Sequence, residues 1–593
     1  MKARAGRAAV WMIGVLALVS CGAPGESVDH SPSESASPSS AASADGFWRD
    51  EALPEAIAET VLQLPAPEDS SQLATAKLEV LSLDSDGEYA RLVAAWLPSQ
   101  RDTALGSIVL SSHKHRYEAT PFIRLADRET GELIEPLRGE SNVFDYHAPP
   151  QIEPEDEPDA PSDAAGAGGQ ETAVPGRGTC ICSMLSGAAE GQPDRTELIF
   201  VDFPLPEADV VDIVLGEWAE PVPEVPITQN EPFIRPDPAS SWFFTHTSGE
   251  DPPERYGAGA RYAVRYPLAA RTETLSGVTT TIEEQTQEVS LPADVLFEFG
   301  SAELNPEATS IIESAAEKLN EEAAGSSVTV EGHTDNVGSA ELNQELSQDR
   351  AEAVLAVIED MVDDSITLET IGYGFTRPQV PNLDADGEPI PENQARNRRV
   401  SFRYPVVVQE AAVEIDLGQA GVQDLPEAEP APAGPDALAS FIIEAPPGDT
   451  SGTDIRFDVR GAQREGNLVT MRFGLASAKG IQHRGTVFTG NPERGGAQHF
   501  GDNPQGDGNS PGLANMSLID AATDRRYFPL GSGDMGCLCT EVAGTVETLP
   551  VQASPMYAQF HLPQELQGPV IVHLPDAGQF QLPQDVLDQL LSD

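Results

Sequence analysis

Residues 331–350, Glu-Gly-His-Thr-Asp-Asn-Val-Gly-Ser-Ala-Glu-Leu-Asn-Gln-Glu-Leu-Ser-Gln-Asp-Arg, place a carboxylate and a guanidinium on two consecutive elements. The stretch follows the apolar, strand-like run Ser327-Val-Thr-Val330 and leads into a long amphipathic helix. Asp335 therefore falls at a strand end, and Arg350 two turns into the helix that follows. Asn343, Leu346 and Arg350, spaced i, i+3 and i+7, share one face of that helix. A carboxylate and a guanidinium set apart across one pocket suit a zwitterionic ligand: the first takes an ammonium, the second grips a carboxylate with its planar fork. His333 braces the turn and does not hold ligand on this reading.

Other chemistries find less support. No Cys-His or Ser-His-Asp set stands at a recognisable spacing, and acidic pairs are too abundant to single out a glycosidase pair, so the chain is not read as an enzyme. His113, Lys114 and His115 stand together without a convergent carboxylate pattern. The run 382–388 has the Asx and Gly content of a calcium loop, but its twelfth position is Asn393, not Glu, so it reads as a turn. No metal or cofactor is expected.

The segment resembles the OmpA-like peptidoglycan-binding domain of outer-membrane porins, peptidoglycan-associated lipoproteins and flagellar stator proteins. The family's G-H-T-D followed by N-x-x-L-S-x-x-R-A stands here as Gly332 to Asp335, Asn343, Leu346-Ser347 and Arg350-Ala351. Residues 295–304 (Val-Leu-Phe-Glu-Phe-Gly-Ser-Ala-Glu-Leu) look like the family's opening strand, Gly372-Tyr-Gly374 like the third strand's end, and Asn397-Arg-Arg-Val400 like its closing motif. The resemblance covers roughly 290–405. It implies a β-α-β-α-β domain that binds the diaminopimelate side of the stem peptide. Asp335 would take the ammonium and Arg350 the carboxylate, with Asn343 and Leu346 lining the pocket and Thr334 and Arg398 in the site. Two departures stand out: Gly300 where the family often has Asp, and Asn393-Gln-Ala395 where it usually reads G-R-A.

With 593 residues there is room for several domains, each with its own core. A formal charge of −61 argues against nucleic acid, which needs clustered Lys and Arg to neutralise phosphates. Lys2, Arg4 and Arg7 precede a 12-residue apolar run, Ala8 to Val19, too short to remain as a membrane span. It ends in Leu18-Val-Ser-Cys21, which resembles a bacterial lipobox, so residues 1–20 read as a lipoprotein signal peptide and Cys21 as the acylated membrane anchor. Residues 21–50, rich in Ser and Pro, read as a tether.

The remaining cysteines form two C-x-C pairs 357 residues apart, Cys180/Cys182 and Cys537/Cys539. Phe203, Pro206 and Ile213 map onto Phe560, Pro563 and Val570 at that offset, while Leu78 and Leu92 map onto Ile455 and Val469 at 377. These parallels indicate a duplicated module of short strands, expected to be an antiparallel β-sandwich; each C-x-C is read as a local disulfide, with a bridge between the modules, buried thiols or a soft-metal site as the alternatives. The expected architecture is multidomain: module A over 51–228, a connector over 229–289, the central α/β domain over 290–405, a Pro/Ala/Glu-rich linker over 406–440, and module B over 441–593. The two modules are expected to move independently about the centre. The function expected is a non-enzymatic cell-envelope lipoprotein that binds peptidoglycan on the extracytoplasmic side. The alternative is a surface adhesion protein whose sandwiches bind an envelope protein or glycan.

Overall fold

The computed structural model describes residues 55–65, 73–98, 123–139, 197–229, 264–405, 428–443, 455–477, 513–540 and 553–591, less a few short gaps, and the pairs 47–48, 179–180, 235–236 and 261–262. Every described residue belongs to one compact unit, Ala42–Asp593. Cys21, Cys182, His113 to His115 and the signal peptide lie outside the described residues. Among the described residues no helix is long and apolar enough to cross a membrane.

The chain is β-rich, with several sheets and few helices. In the first third, Leu73–Ser85 pairs with Ala58–Pro65 on one side and Tyr89–Pro98 on the other, and Glu197–Pro204 completes that sheet. A second sheet runs through Val222–Pro226, Val210–Leu215, Ile123–Asp127 and Glu132–Ile134. Alternation turns Leu78, Val80 and Phe203 inward from the first sheet and Leu125, Ile213 and Val225 from the second, so both share one core. In the last third, Ala439–Ile443, Ile455–Glu465, Leu468–Ser477 and Ser554–His561 form a sheet. Its Phe441, Phe457 and Phe473 pack on Leu518, Val572 and Phe580.

Both thirds carry the same polar device. Asp127 is fully buried, and its carboxylate accepts from the backbone of Glu129, Thr130, Glu207 and Ala208. Asp520, 2% exposed, likewise accepts from Ala522 and Gln567. Each acid ties a hairpin turn to a distant loop, and those amides neutralise the cost of burying it. Strand pairing refines the sequence parallels. Ala90 faces Phe203 and Val469 faces Phe560, which sets the upstream offset at 379, and Val211, not Ile213, has the register of Val570.

The centre is built by β4 (Thr286–Pro292), α1 (Ala308–Glu322), β5 (Ser327–Gly332), α2 (Ala340–Ile358), β6 (Thr367–Gly372), α3 (Pro391–Asn397) and β7 (Arg399–Pro405), where β1 to β3 are Arg265–Pro267, Ala269–Thr274 and Thr279–Glu283. Strand order β6-β5-β7-β4 combines a parallel β5–β6 pair with antiparallel partners. Val289, Leu291, Val328, Val330, Val400 and Phe402 face the apolar stripes of α1 and α2. The opening strand is Thr286–Pro292, not the 295–304 stretch. There, Ala293–Leu296 makes one helical turn and Phe297 and Leu304 only an isolated bridge. The physical reason is pairing: Val289 and Leu291 alternate inward along the full length of β7. Leu342 is 65% exposed, while Ser347, Ala351, Val354 and Ile358 are buried, because α2 approaches the strand ends with its small polar side.

The expected connector is not one. β1 pairs with Glu132–Ile134 of the first third, and β2 pairs with both β3 and Arg525–Tyr527 of the last third. With β8 (Ser517–Asp520), β9 (Arg525–Tyr527), β10 (Val570–Leu574) and β11 (Gly578–Gln581), one sheet runs β6-β5-β7-β4-β3-β2-β9-β8-β10-β11. Ala126, Leu133 and Val214 pack with Leu530 and Leu538 across the same seam, and Arg128–Glu465 and Arg472–Glu220 pair over it. Threonine-rich, alternating residues 269–283 can extend a sheet on both edges, so the expected independent movement of the modules does not fit this continuous ladder. The described end of the expected 406–440 linker is also structured, Glu429–Ala431 pairing with Ala439–Ile443.

Candidate functional site

The site forms where β5 ends and α2 begins, and glycine makes the close approach feasible. A Cβ on Gly332 would stand 1.9 Å from the Ser347 carbonyl oxygen, and one on Gly372 would stand 2.4 Å from the Gln348 nitrogen. The turn between strand and helix is pinned at several points. Buried Thr334 donates its N–H to the Gly374 carbonyl at 2.9 Å, and Asn343 Nδ2 donates to the Val337 carbonyl at 2.9 Å. Ser339 caps α2 by accepting from the Leu342 N–H. Gln394, standing where the family usually has arginine, donates to Asn336 Oδ1 at 2.9 Å and so holds the tip of the turn.

Asp335 projects from this turn with its side chain 13% exposed. Its Oδ1 accepts from the Val337 N–H at 3.0 Å and its Oδ2 from Arg398 Nη1 at 2.8 Å. Arg398 forks onward to Asp294 at 3.0 and 2.6 Å, and its hydrogen bonds to Asp294 and then Asp335 hold its pKa above the ordinary arginine value. Arg350 lies 2% exposed, its Nε donating to the Ser301 carbonyl at 3.0 Å and its guanidinium 5.2 Å from the Phe297 ring centre. Its Nη1 is buried without a partner. Burial lowers its pKa, Asp294 raises it, Arg398 lowers it and Asp335 raises it, in falling order of weight. Among the described residues no carboxylate lies within salt-bridge distance of Arg350. Leu346 is half-buried on the same helix.

Of the six residues singled out by sequence, Thr334, Asp335 and Asn343 build the turn, Arg398 pairs with Asp335, Arg350 lies within electrostatic reach of both, and Leu346 is half-buried on α2. Asp294, the Ser301 carbonyl and Phe297 were not anticipated. Asp294 gave no signal, being one acid among 96 Asp and Glu, and only the fold sets it opposite Arg398. Gly300 adopts φ +68° with open space where a Cβ would go, so the turn over Arg350 uses glycine for its backbone and not for room.

Residues 296–390 match the OmpA family. The outer-membrane lipoprotein YfiB of Pseudomonas aeruginosa is 31% identical over 124 residues, which are 21% of this chain and 70% of that protein. The chain belongs to the OmpA family. Outer membrane porin F of the same organism is 34% identical over 113 residues, 19% of this chain and 30% of the porin. Among solved structures, the peptidoglycan-associated lipoprotein of Burkholderia pseudomallei is 27% identical, covering 18% of this chain and 87% of that one, with a TM-score of 0.16. The chain spans 13, 30 and 37% of the length of three curated relatives it matches. The shared region is the OmpA-family centre; the two β-rich thirds lie outside it.

Outside the site, Cys537 and Cys539 are joined by a disulfide, their Cα atoms 5.2 Å apart. Cys180 belongs to a short strand paired with Arg138–Gly139. A cavity of about 310 Å³ opens instead between α1 and the last third, lined by Lys318, Glu322, Asp520, Arg525 and His561 among others. It contains none of the residues of the Asp335 turn.

Proposed function

We propose that the OmpA-family centre binds cell-wall peptidoglycan non-covalently and that the chain thereby tethers a membrane to the wall. The observation that carries this reading is Arg350: a buried guanidinium with an unpartnered Nη1, beside a turn that presents Asp335. A buried cation without an acid partner costs stability and is retained where a ligand anion completes it. In this reading Asp335 receives the ammonium and Arg350 the carboxylate of a diaminopimelate-type stem peptide, while Asn343, Leu346 and Thr334 shape the turn and Arg398 orients Asp335. The Ser301 carbonyl already holds Arg350 Nε, so a ligand carboxylate is received at the unpartnered Nη1. Acylated Cys21 supplies the membrane anchor, and the domain boundaries are those set out from the sequence except across 229–289 and 428–440. The names of the relatives, outer-membrane porins and lipoproteins among them, support an envelope setting.

Sedimentation of the whole protein with purified sacculi tests the proposal. Saturable retention that is lost with Asp335→Asn supports it; retention that ignores the substitution, or is carried by a variant lacking residues 286–405, sinks it.

A further inference from the structure

Directly beneath the turn lies a second group of donors that peptidoglycan binding does not use. His333 is 1% exposed and stacks on Tyr373 with ring centres 5.4 Å apart. No well-formed hydrogen bond reaches either ring nitrogen, the Arg377 backbone group lying nearby. Its Nε2 stands 3.6 Å from Glu331 Oε2, and Glu331 is 3% exposed. Glu288, on the neighbouring part of the sheet, brings a second carboxylate, and one donor atom from each of the three lies within 4.8 Å of the others.

We infer that Glu288, Glu331 and His333 form a site for a divalent first-row transition ion, zinc foremost. An imidazole nitrogen and two carboxylate oxygens are the donor types such ions take, with a fourth position left for water. The geometry fits: ligands about 2.1 Å from a tetrahedral ion stand roughly 3.4 Å apart, close to the observed Nε2–Oε2 separation. Glu288 closes the set by a side-chain rotation. An imidazole at this depth without a well-formed hydrogen bond leaves polar atoms that an ion would satisfy. The surrounding charges set the affinity. Arg403 donates to Glu288 Oε2 at 3.3 Å, Arg399 Nε lies 3.7 Å from Glu288 Oε1, and Arg377 faces the ring from beyond Tyr373. These cations lower the affinity for any divalent ion, and the imidazole donor favours ions that bind nitrogen well over magnesium or calcium. Its position two residues before Asp335 ties ion binding to the conformation of the turn.

The test uses the full chain, stripped with EDTA and kept in 0.15 M salt with excess magnesium to occupy the acidic surface. Zinc is measured by equilibrium dialysis, and cobalt by its visible absorption. One ion per chain is expected, with a cobalt band typical of four or five ligands. His333→Gln and Glu288→Gln should each weaken binding on the order of 10- to 100-fold. Glu288→Gln, far from the turn in sequence, keeps the test decisive should His333→Gln fail to fold. No saturable zinc, or stoichiometric zinc that survives both substitutions, overturns the assignment.

Discussion

Arg350→Met separates binding from stability at the candidate site. The guanidinium is almost fully buried, makes one hydrogen bond to a carbonyl, and has no carboxylate within salt-bridge distance among the described residues. Methionine keeps much of the length and packs on the Phe297 ring. The substitution loses about 1 kcal/mol for the Ser301 hydrogen bond, but it also removes a desolvated charge, and the two nearly cancel. Unfolding by urea should therefore shift by no more than about 1 kcal/mol in either direction. Ligand binding has no such compensation. A charge-assisted contact is worth on the order of 1.5–3 kcal/mol, so the isotherm for sacculi should weaken roughly 10- to 150-fold. Arg350→Ala is the poorer probe because it also leaves a cavity. Binding within twofold of wild type would refute the assignment of Arg350 to ligand. A loss of stability beyond about 3 kcal/mol would show instead that the guanidinium is a structural ion whose partner is Asp294 or Asp335.

Four further outcomes follow from the same structure. Cys21→Ser should release the protein from membranes or block its maturation, read by fractionation; unchanged anchoring with normal processing would mean that another anchor exists. Thr272→Pro removes an N–H from the middle of the shared sheet, where Thr272 faces both Thr280 and Tyr527. It should cost about 3 kcal/mol or more and split one calorimetric transition into two, whereas a wild type that already unfolds in separate steps would contradict the fused architecture. His573 is buried, contacts Ser517 at 3.3 Å, and has its pKa pushed down to about 3 by burial and then by Arg526. Its folded pKa lies below its unfolded one, so the stability it contributes is full above about pH 6.5 and falls as pH drops toward 3, by at most about 1.4 kcal/mol per pH unit; His573→Gln should flatten that slope in urea titrations. Finally, non-reduced digests should show Cys180 joined to Cys182 and Cys537 to Cys539, and reduction should cost each pair less than the roughly 3 kcal/mol of a fifteen-residue loop, a Cys182–Cys539 peptide being the contrary result.

What the sequence made legible follows from where its information is local. The run from Glu331 to Arg350 carries its own strand, turn, cap and helix signals, and the strand, turn and helix stand where it put them. Short strands were expected in both outer thirds, and Tyr89–Pro98 and Ser554–His561 are among those found. Non-local choices were not. Thr286–Pro292 and Val295–Leu304 are both plausible opening strands, and only the length of β7 decides for the first. Leu342 looks like core by period, but close packing of Gly332 and Gly372 on Ser347 and Gln348 turns α2 so that Leu342 faces solvent. Residues 269–283 looked like connection because their threonines and acids do not resemble a buried strand. They are nonetheless central, since their two edges are claimed by β4 through β3 and by β9.

That continuity changes what the β-rich thirds can do for the centre. Two modules on flexible connections would add reach and independent contacts, each with its own orientation. Here the ladder from β4 through β3 and β2 to β9 fixes the last third against the OmpA-family centre, while β1 commits the next residues upstream to the first third. Buried Arg271 reinforces the junction: its pKa is lowered to about 10 by burial, and its guanidinium lies 5.9 Å from the Phe528 ring centre of the last third. Separating the parts would expose that cation's apolar contacts and a row of unpaired ladder groups on both edges, so the described body behaves as one unit. Hinge motion between the β-rich thirds would have to break this ladder, so a ligand held at the Asp335 turn is held in one orientation relative to both.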